Sequence, residues 1–132
     1  MTKEFKDMKG VIAIATTPFN NENLIDFESV DRLSNYYIES KVSGVTILGV
    51  MGEAHKLNIE EQKTLIKRYV NNLINSVPVI VGVSNAGLDN LELLSKFSMD
   101  SGASGVMVSG NNGLKNDDQI KSYFNQVVNR TQ

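Results

Sequence analysis

The sequence contains no cysteine, only one histidine and only two prolines among its 132 residues. The absence of cysteine excludes a disulfide scaffold, a cysteine-ligated zinc or iron–sulfur site and a thiol nucleophile. Because His55 is the single histidine, a metal site built from histidines is not expected either. We therefore predict that the chain uses neither a metal nor a cofactor.

The chain also lacks an excess of positive charge and any long apolar run. Its net charge of −2 is unlike that of a general nucleic-acid-binding protein, which is usually basic. No apolar run approaches the ~20 residues needed to span a bilayer, and the N-terminal sequence MTKEFKDMKG has no apolar segment of the signal-peptide type. We expect no nucleic-acid partner, no membrane and a cytoplasmic location.

Enough apolar material is present for a globular core, since 41% of the residues are hydrophobic, and the length suggests one domain. Four short runs rich in Val and Ile recur along the chain, at about 10–15, 44–49, 77–82 and 105–109. Each run is apolar at successive positions, which is typical of strands that are covered on both faces in a parallel sheet.

Helical patterns separate these runs, with apolar residues recurring every three or four positions. Asp26 and Asn116 are placed as N-caps, and Asn58 with Glu61 forms a capping-box arrangement. Gly102 follows the third pattern and suits the left-handed position after a helix. The order predicted for residues 1–132 is four βα units with right-handed crossovers.

Two architectures fit four βα units in a chain of this length. One is a small doubly wound sheet of the flavodoxin type, which usually has five strands. The other is half of an eightfold βα barrel, which takes ~250 residues when complete. Periodicity does not choose between them.

In both architectures the functional site forms where the strands end. All four predicted strand ends are rich in Gly, Ser, Thr and Asn, whose exposed backbone N–H groups can face a small anion. Turns also need Gly and Asn for their dihedral angles alone, but four polar ends together favour a pocket. The residues expected to line it are Thr16, Thr17, Glu53, Asn85 and Asn112.

The charged residues near these ends have simple structural interpretations. Glu53 is the only carboxylate at a strand end, and we expect it to tie neighbouring turns through backbone N–H groups rather than act as a base. A lone loop histidine such as His55 is usually solvated. Lys56 and Lys115 lie in polar loops, whereas a Schiff base needs a desolvated amine, so both are expected to be surface lysines.

The order of motifs resembles the dihydrodipicolinate synthase / N-acetylneuraminate lyase family over nearly the whole chain. The segments that carry the resemblance are Lys9-Gly10-Val11 to Thr17-Pro18-Phe19, Gly44-Val45 to Gly49-x-x-Gly52-Glu53, Val77-Pro78-Val79-Ile80-Val81-Gly82-x-Ser84-Asn85, and Ser101-Gly102-Ala103-Ser104-Gly105. The resemblance implies a (β/α)8 TIM barrel, of which this chain is the N-terminal half with four parallel strands. It also implies a homotetrameric lyase of the class I aldolase type, in which a lysine on strand six forms a Schiff base with pyruvate or a related 2-oxo acid.

The resemblance further implies which residues bind substrate. In the family the Gly-x-x-Gly-Glu turn holds the substrate carboxylate, which here points to Gly49, Val50, Met51 and Gly52. The family usually has hydroxyl side chains at the two middle positions, so Val50 and Met51 keep only the backbone donors.

Other family residues have no counterpart in this chain. Where the family often has Thr-Pro-Tyr-Tyr, this chain has Ser109-Gly110-Asn111-Asn112. A strand-five tyrosine that shuttles protons and the strand-six lysine would both lie beyond Gln132. We therefore expect no catalytic residue in this chain and no activity from it alone.

Three hypotheses follow. The chain is the N-terminal half of a divergent aldolase or lyase, or a half-barrel that pairs with itself or a partner, or a non-catalytic module that binds a small anion. An open half-barrel exposes its outer strands as edges that invite pairing. We therefore expect a homo-oligomer, formed through these sheet edges or through the tetramer contacts of the family.

Overall fold

A computed structural model of the chain describes residues 8–132. Strands and helices alternate throughout, and a short 3-10 turn at Ala54–Lys56 precedes the second helix. The elements are β1 (Ile12–Ile14), α1 (Phe27–Glu39), β2 (Gly44–Ile47), α2 (Ile59–Leu73), β3 (Val79–Gly82), α3 (Leu88–Asp100), β4 (Gly105–Met107) and α4 (Asp117–Thr131). Among these residues, no helix is long and apolar enough to cross a membrane.

The four strands form one parallel sheet in the order β1-β2-β3-β4. A doubly wound sheet of the flavodoxin type has the order 2-1-3-4-5 and is therefore excluded. Because parallel crossovers are right-handed and each strand lies beside the previous one, all helices pack on the same side of the sheet. This is the N-terminal half of a TIM barrel, as predicted.

The two faces of the sheet differ in what covers them. Val45, Ile47, Val79 and Val81 point towards the helices and are almost fully buried in the core. The opposite face, which we call the concave face, carries the register-matched residues Ile14, Thr46, Ile80, Gly82 and Met107. Ile14 and Met107 are 43% and 42% exposed, so no other part of the described chain covers this face completely.

The predicted helix signals are confirmed. The side chain of Asp26 accepts a hydrogen bond from the backbone N–H of Ser29, which caps α1. Asn58 and Glu61 form both hydrogen bonds of the capping box that begins α2. Each such N-cap stabilises its helix by about 0.5–2 kcal/mol.

The ends of the third and fourth helical patterns are also as expected. Asn116 caps α4 by accepting from the N–H of Gln119 at 3.0 Å. Gly102 follows α3 with a φ of +100°, a conformation that is unfavourable for residues with a Cβ atom.

The predicted strand bounds are wrong by up to two residues at some ends. β1 begins at Ile12 because Gly10, with a φ of +112°, is not extended. β2 ends at Ile47 because Leu48 adopts a left-handed conformation, with a φ of +55°. β3 begins at Val79, after Pro78, which has no N–H to donate to the ladder. β4 ends at Met107, although the apolar run continues beyond it.

Polar contacts join neighbouring helices on the outside of the sheet. The guanidinium of Arg68 on α2 donates two hydrogen bonds to Asp31 on α1, and Asn72 donates a third at 2.8 Å. These bonds hold the pKa of the Asp31 carboxyl below its ordinary value, and the bond from Arg68 has the largest effect. Arg130 on α4 likewise bonds Asp89 and Glu92 on α3, so that adjacent βα units are linked in pairs.

Candidate functional site

A crevice of about 410 Å³ lies at the carboxyl ends of the strands. Its walls are the turn after β2, the residues after β3, the loop after β4 and one side chain of α4. This is the end of a TIM-barrel sheet at which functional sites form. The crevice is therefore the candidate site.

The turn after β2 is bracketed by two residues in the left-handed region. Leu48 and Glu53 have φ values of +55° and +53°, and neither is a glycine. Such conformations cost about 1–3 kcal/mol each and are concentrated at functional sites. Inside the turn, the N–H of Gly52 bonds the carbonyl of Gly49, and the N–H of Glu53 bonds that of Val50.

Some backbone donors of this turn stay uncommitted. Among the described residues, the N–H groups of Val50 and Met51 make no hydrogen bond. Val50 lines the crevice, and its side chain is 87% exposed. Val50 can therefore offer a backbone donor to a small anion in the crevice, whereas the N–H of Gly52 is engaged by Gly49. Anion binding by this turn stays a prediction.

Gly82 lets this turn pack directly against the end of β3. A Cβ atom on Gly82 would lie 2.2 Å from the carbonyl oxygen of Leu48 and 3.1 Å from the nitrogen of Gly49. Only a residue without a side chain permits this approach of two backbones. The close approach joins two linings of the crevice, the turn after β2 and the end of β3.

Thr17 braces the same turn from the side of β1. Its buried hydroxyl donates a hydrogen bond of 2.6 Å to the carbonyl of Gly52. The preceding carbonyl, of Thr16, accepts at 3.3 Å from the phenol of Tyr69 on α2. Burial raises the pKa of Tyr69, which keeps this phenol protonated as a donor. The two threonines thus connect the turn after β2 and helix α2 to the end of β1.

The structure brings only some of the predicted site residues to the crevice. Gly49, Val50, Asn85 and Asn112 line it. The other five, Thr16, Thr17, Met51, Gly52 and Glu53, do not. Thr16 and Thr17 lie after β1 and contact α2 and the turn after β2 instead, and the second half of that turn is outside the crevice. The binding role of all nine residues stays a prediction.

Glu53 and Met51 differ most from the expectation. Among the described residues, the Glu53 carboxylate accepts no backbone hydrogen bond; it pairs with the Lys56 ammonium at 2.9 Å. The left-handed backbone of Glu53 turns its side chain towards the 3-10 turn and not towards neighbouring strand ends. Met51 points outward and is 57% exposed.

Sequence reasoning left out several residues that line the crevice. Ser84 and Ser109 follow β3 and β4, and their position in polar strand ends was a usable signal. The sequence predicts a solvated His55; the residue is exposed, yet it also lines the crevice. Tyr123 belongs to the apolar stripe of α4, which gave no indication that its ring reaches the site.

The lining of the crevice carries no acidic side chain, no lysine and no arginine. Its polar groups are neutral amides and hydroxyls, together with His55 and Tyr123. Within residues 8–132, no three His, Asp or Glu side chains converge as a metal site would require. The crevice is therefore suited to binding an oxygen-rich ligand through neutral donors.

The lysines near the site lie in polar surroundings. The Lys56 ammonium is paired with Glu53, and the Lys115 ammonium lies 3.4 Å from the carbonyl oxygen of Asn112. Both side chains are on exposed residues, and no strand of the described chain contains a lysine. Neither amine has the desolvated environment that Schiff-base formation needs.

A larger groove of about 540 Å³ lies on the helical side, between α2 and α3. Lys63 and Lys67 lie 5.7 and 5.4 Å from the centre of the Phe97 ring there. The charged groups of this groove are engaged in exposed ion pairs such as Lys96–Asp100. Because it is remote from the strand ends, this groove is not the candidate site.

The sequence matches the dihydrodipicolinate synthetase family over residues 7–132, so the chain belongs to this family. A curated relative, the 4-hydroxy-tetrahydrodipicolinate synthase of Thermotoga maritima, is 35% identical over 100 residues, which are 76% of this chain and 34% of the relative.

Solved structures agree in fold. The dihydrodipicolinate synthase of Rhodopseudomonas palustris has a TM-score of 0.87 at 41% identity, covering 92% of this chain and 40% of that one. YagE, a prophage protein of Escherichia coli K12 from the same family and solved in complex with pyruvate, has a TM-score of 0.84 at 26% identity, covering 92% and 41%. This chain thus spans roughly two-fifths or less of the length of these relatives.

Proposed function

We propose that this chain is the N-terminal half of a Schiff-base aldolase or lyase that acts on pyruvate or a related 2-oxo acid. The observation that carries the proposal is the strand-end crevice, with the uncommitted N–H group of Val50 in its wall, in a member of this family. The E. coli relative solved with pyruvate supports the substrate class. A cytoplasmic location is part of the proposal and is open to cell fractionation.

In the proposed reaction, a lysine amine adds to the keto carbon of the 2-oxo acid and water leaves, which forms an imine. We propose that this lysine is not supplied by residues 8–132, because Lys56 and Lys115 are exposed and in polar contacts. The role of this half is to hold the substrate carboxylate by hydrogen bonds, which are strongest to an ionised acceptor.

Borohydride trapping tests this division of roles. The 132-residue chain is incubated with pyruvate and sodium borohydride, which reduces an imine to a stable secondary amine, and its mass is measured. We expect no adduct on the chain, and the E. coli relative treated in parallel is the control for pyruvate binding. A pyruvate adduct on Lys56 or Lys115 would contradict the proposal.

A second candidate function is a non-catalytic module that binds small anions. It is favoured by the same free backbone donors and by the neutral lining of the crevice. Saturable binding of a 2-oxo acid by the chain without turnover would support this candidate.

We also propose that the chain self-associates. β1 and β4 are the outer strands of the sheet, and Ile14 and Met107 expose apolar surface on the concave face. Unpaired edges beside an apolar face favour association, because pairing satisfies backbone groups and removes apolar area from water. Sheet edges and the tetramer contacts of the family are the two surfaces considered.

A further inference from the structure

Two serine hydroxyls connect the ends of β3 and β4 in the wall of the crevice. The oxygen Oγ of Ser84 accepts a hydrogen bond of 2.9 Å from the backbone N–H of Ser109. The two Oγ atoms are 3.1 Å apart, so one hydroxyl donates to the other. Both residues are exposed to solvent, and both line the crevice.

The number of protons in this pair determines what it can offer. Each hydroxyl has one proton to donate and two lone pairs that accept. One of the two protons lies between the oxygens, and the other is left over. If Ser109 donates to Ser84, both lone pairs of Ser84 are occupied, and its proton is directed outward. If Ser84 donates, the proton of Ser109 is the free one. In both arrangements the pair presents one O–H donor.

The surroundings of the pair favour an anionic acceptor for this proton. The lining of the crevice has no carboxylate that would compete for it. The side chains of Val50 and Met51, on the turn after β2, carry no hydroxyl, so the hydroxyl donors of the crevice wall are Ser84 and Ser109, together with the phenol of Tyr123 on α4.

We propose that the Ser84–Ser109 pair binds the carboxylate of a small 2-oxo acid by donating one hydrogen bond to it. The pair joins two strand ends and adds a side-chain donor to the backbone donor of Val50 in the same crevice. This inference rests on the proposed function for the identity of the ligand, whereas the donor itself follows from the geometry of the two hydroxyls.

The proton count predicts an unusual pattern among variants. Either single replacement, Ser84→Ala or Ser109→Ala, leaves one hydroxyl whose proton is free, so pyruvate affinity should fall by about threefold or less. The double replacement removes both protons, and affinity should fall by about tenfold, which corresponds to about 1.4 kcal/mol for a lost hydrogen bond to a charged group.

The test is a nuclear magnetic resonance titration of the ¹⁵N-labelled 132-residue chain with pyruvate and, separately, with acetate. A double threonine variant, Ser84→Thr with Ser109→Thr, keeps both hydroxyls and should bind like the parent, which controls for folding. The double control Ser76→Ala with Ser122→Ala changes two exposed serines outside the crevice and should also bind like the parent.

Each outcome has a defined meaning. Pyruvate binding that the double alanine variant retains at parental affinity overturns this inference and leaves the proposed function standing. Serine-dependent binding of acetate without binding of pyruvate confirms the hydroxyl donor, overturns its assignment to a 2-oxo acid and contradicts the proposed function. Absence of binding of either anion by the parent overturns the inference, as does a threonine variant that remains folded but binds no better than the alanine variant.

Discussion

Replacement of Gly82 by alanine is the sharpest perturbation of the site. The added Cβ would lie 2.2 Å from the carbonyl oxygen of Leu48, whereas real Cβ atoms essentially never approach closer than 3.0 Å. The turn after β2 and the end of β3 would have to separate by at least the difference, 0.8 Å. Leu48 cannot yield easily, because it is 3% exposed and held in a left-handed conformation.

Overpacking of this kind costs about 1–3 kcal/mol, so we expect the free energy of unfolding to fall by that amount. In a chain of this size, that is a decrease in Tm of roughly 3–5 °C per kcal/mol. The measurement is urea unfolding followed by far-ultraviolet circular dichroism, together with a thermal melt.

Gly110→Ala is the matched control, since it changes another glycine of the crevice. A Cβ there would be 3.5 Å from the nearest atom, in the flexible side chain of Leu114, which is ordinary contact. Its stability should change by less than about 0.5 kcal/mol. If Gly82→Ala were as stable as the Gly110→Ala control, the close approach of Leu48 to β3 would not be a real constraint.

Two further predictions concern acid stability and association. Because hydrogen bonds from Arg68 lower the folded-state pKa of Asp31, its stabilisation is present above the unfolded pKa near 3.8 and lost as the pH falls through the folded value. In the Asp31→Asn variant, the free energy of unfolding from urea titrations should therefore fall less as the pH is lowered. Glu28→Gln, which changes a carboxylate that is 91% exposed, should show the same pH dependence as the parent. For association, light scattering should give a mass above the 14.5 kDa monomer, and Ile14→Asp on the concave face should lower it. Leu93→Asp, at an equally exposed position on α3, should not lower the mass, and a monomeric parent would contradict the proposed self-association.

Local features of this chain could be predicted from its sequence because the residues that interact are close along it. Asn58 and Glu61 are three positions apart, and their reciprocal hydrogen bonds form as soon as α2 begins. The runs of Val and Ile likewise identify strands that are apolar on both sides, and Val45 and Val79 are buried as expected. The βα repeat, the family and the position of the site at the strand ends all follow from such short-range patterns.

Tertiary structure decided the rest, because it depends on strand order and register. The consecutive strand order shows a half-barrel and excludes a doubly wound sheet, whereas the periodicity of the sequence fits both. The pairing of β3 with β4 brings Ser84 and Ser109 together although 25 residues separate them. The left-handed conformation of Leu48, for which leucine gives no local signal, ends β2 directly before the Gly-x-x-Gly-Glu segment. The residues that line the site are thus set by how neighbouring strand ends meet, since side-chain direction there depends on backbone contacts between distant parts of the chain.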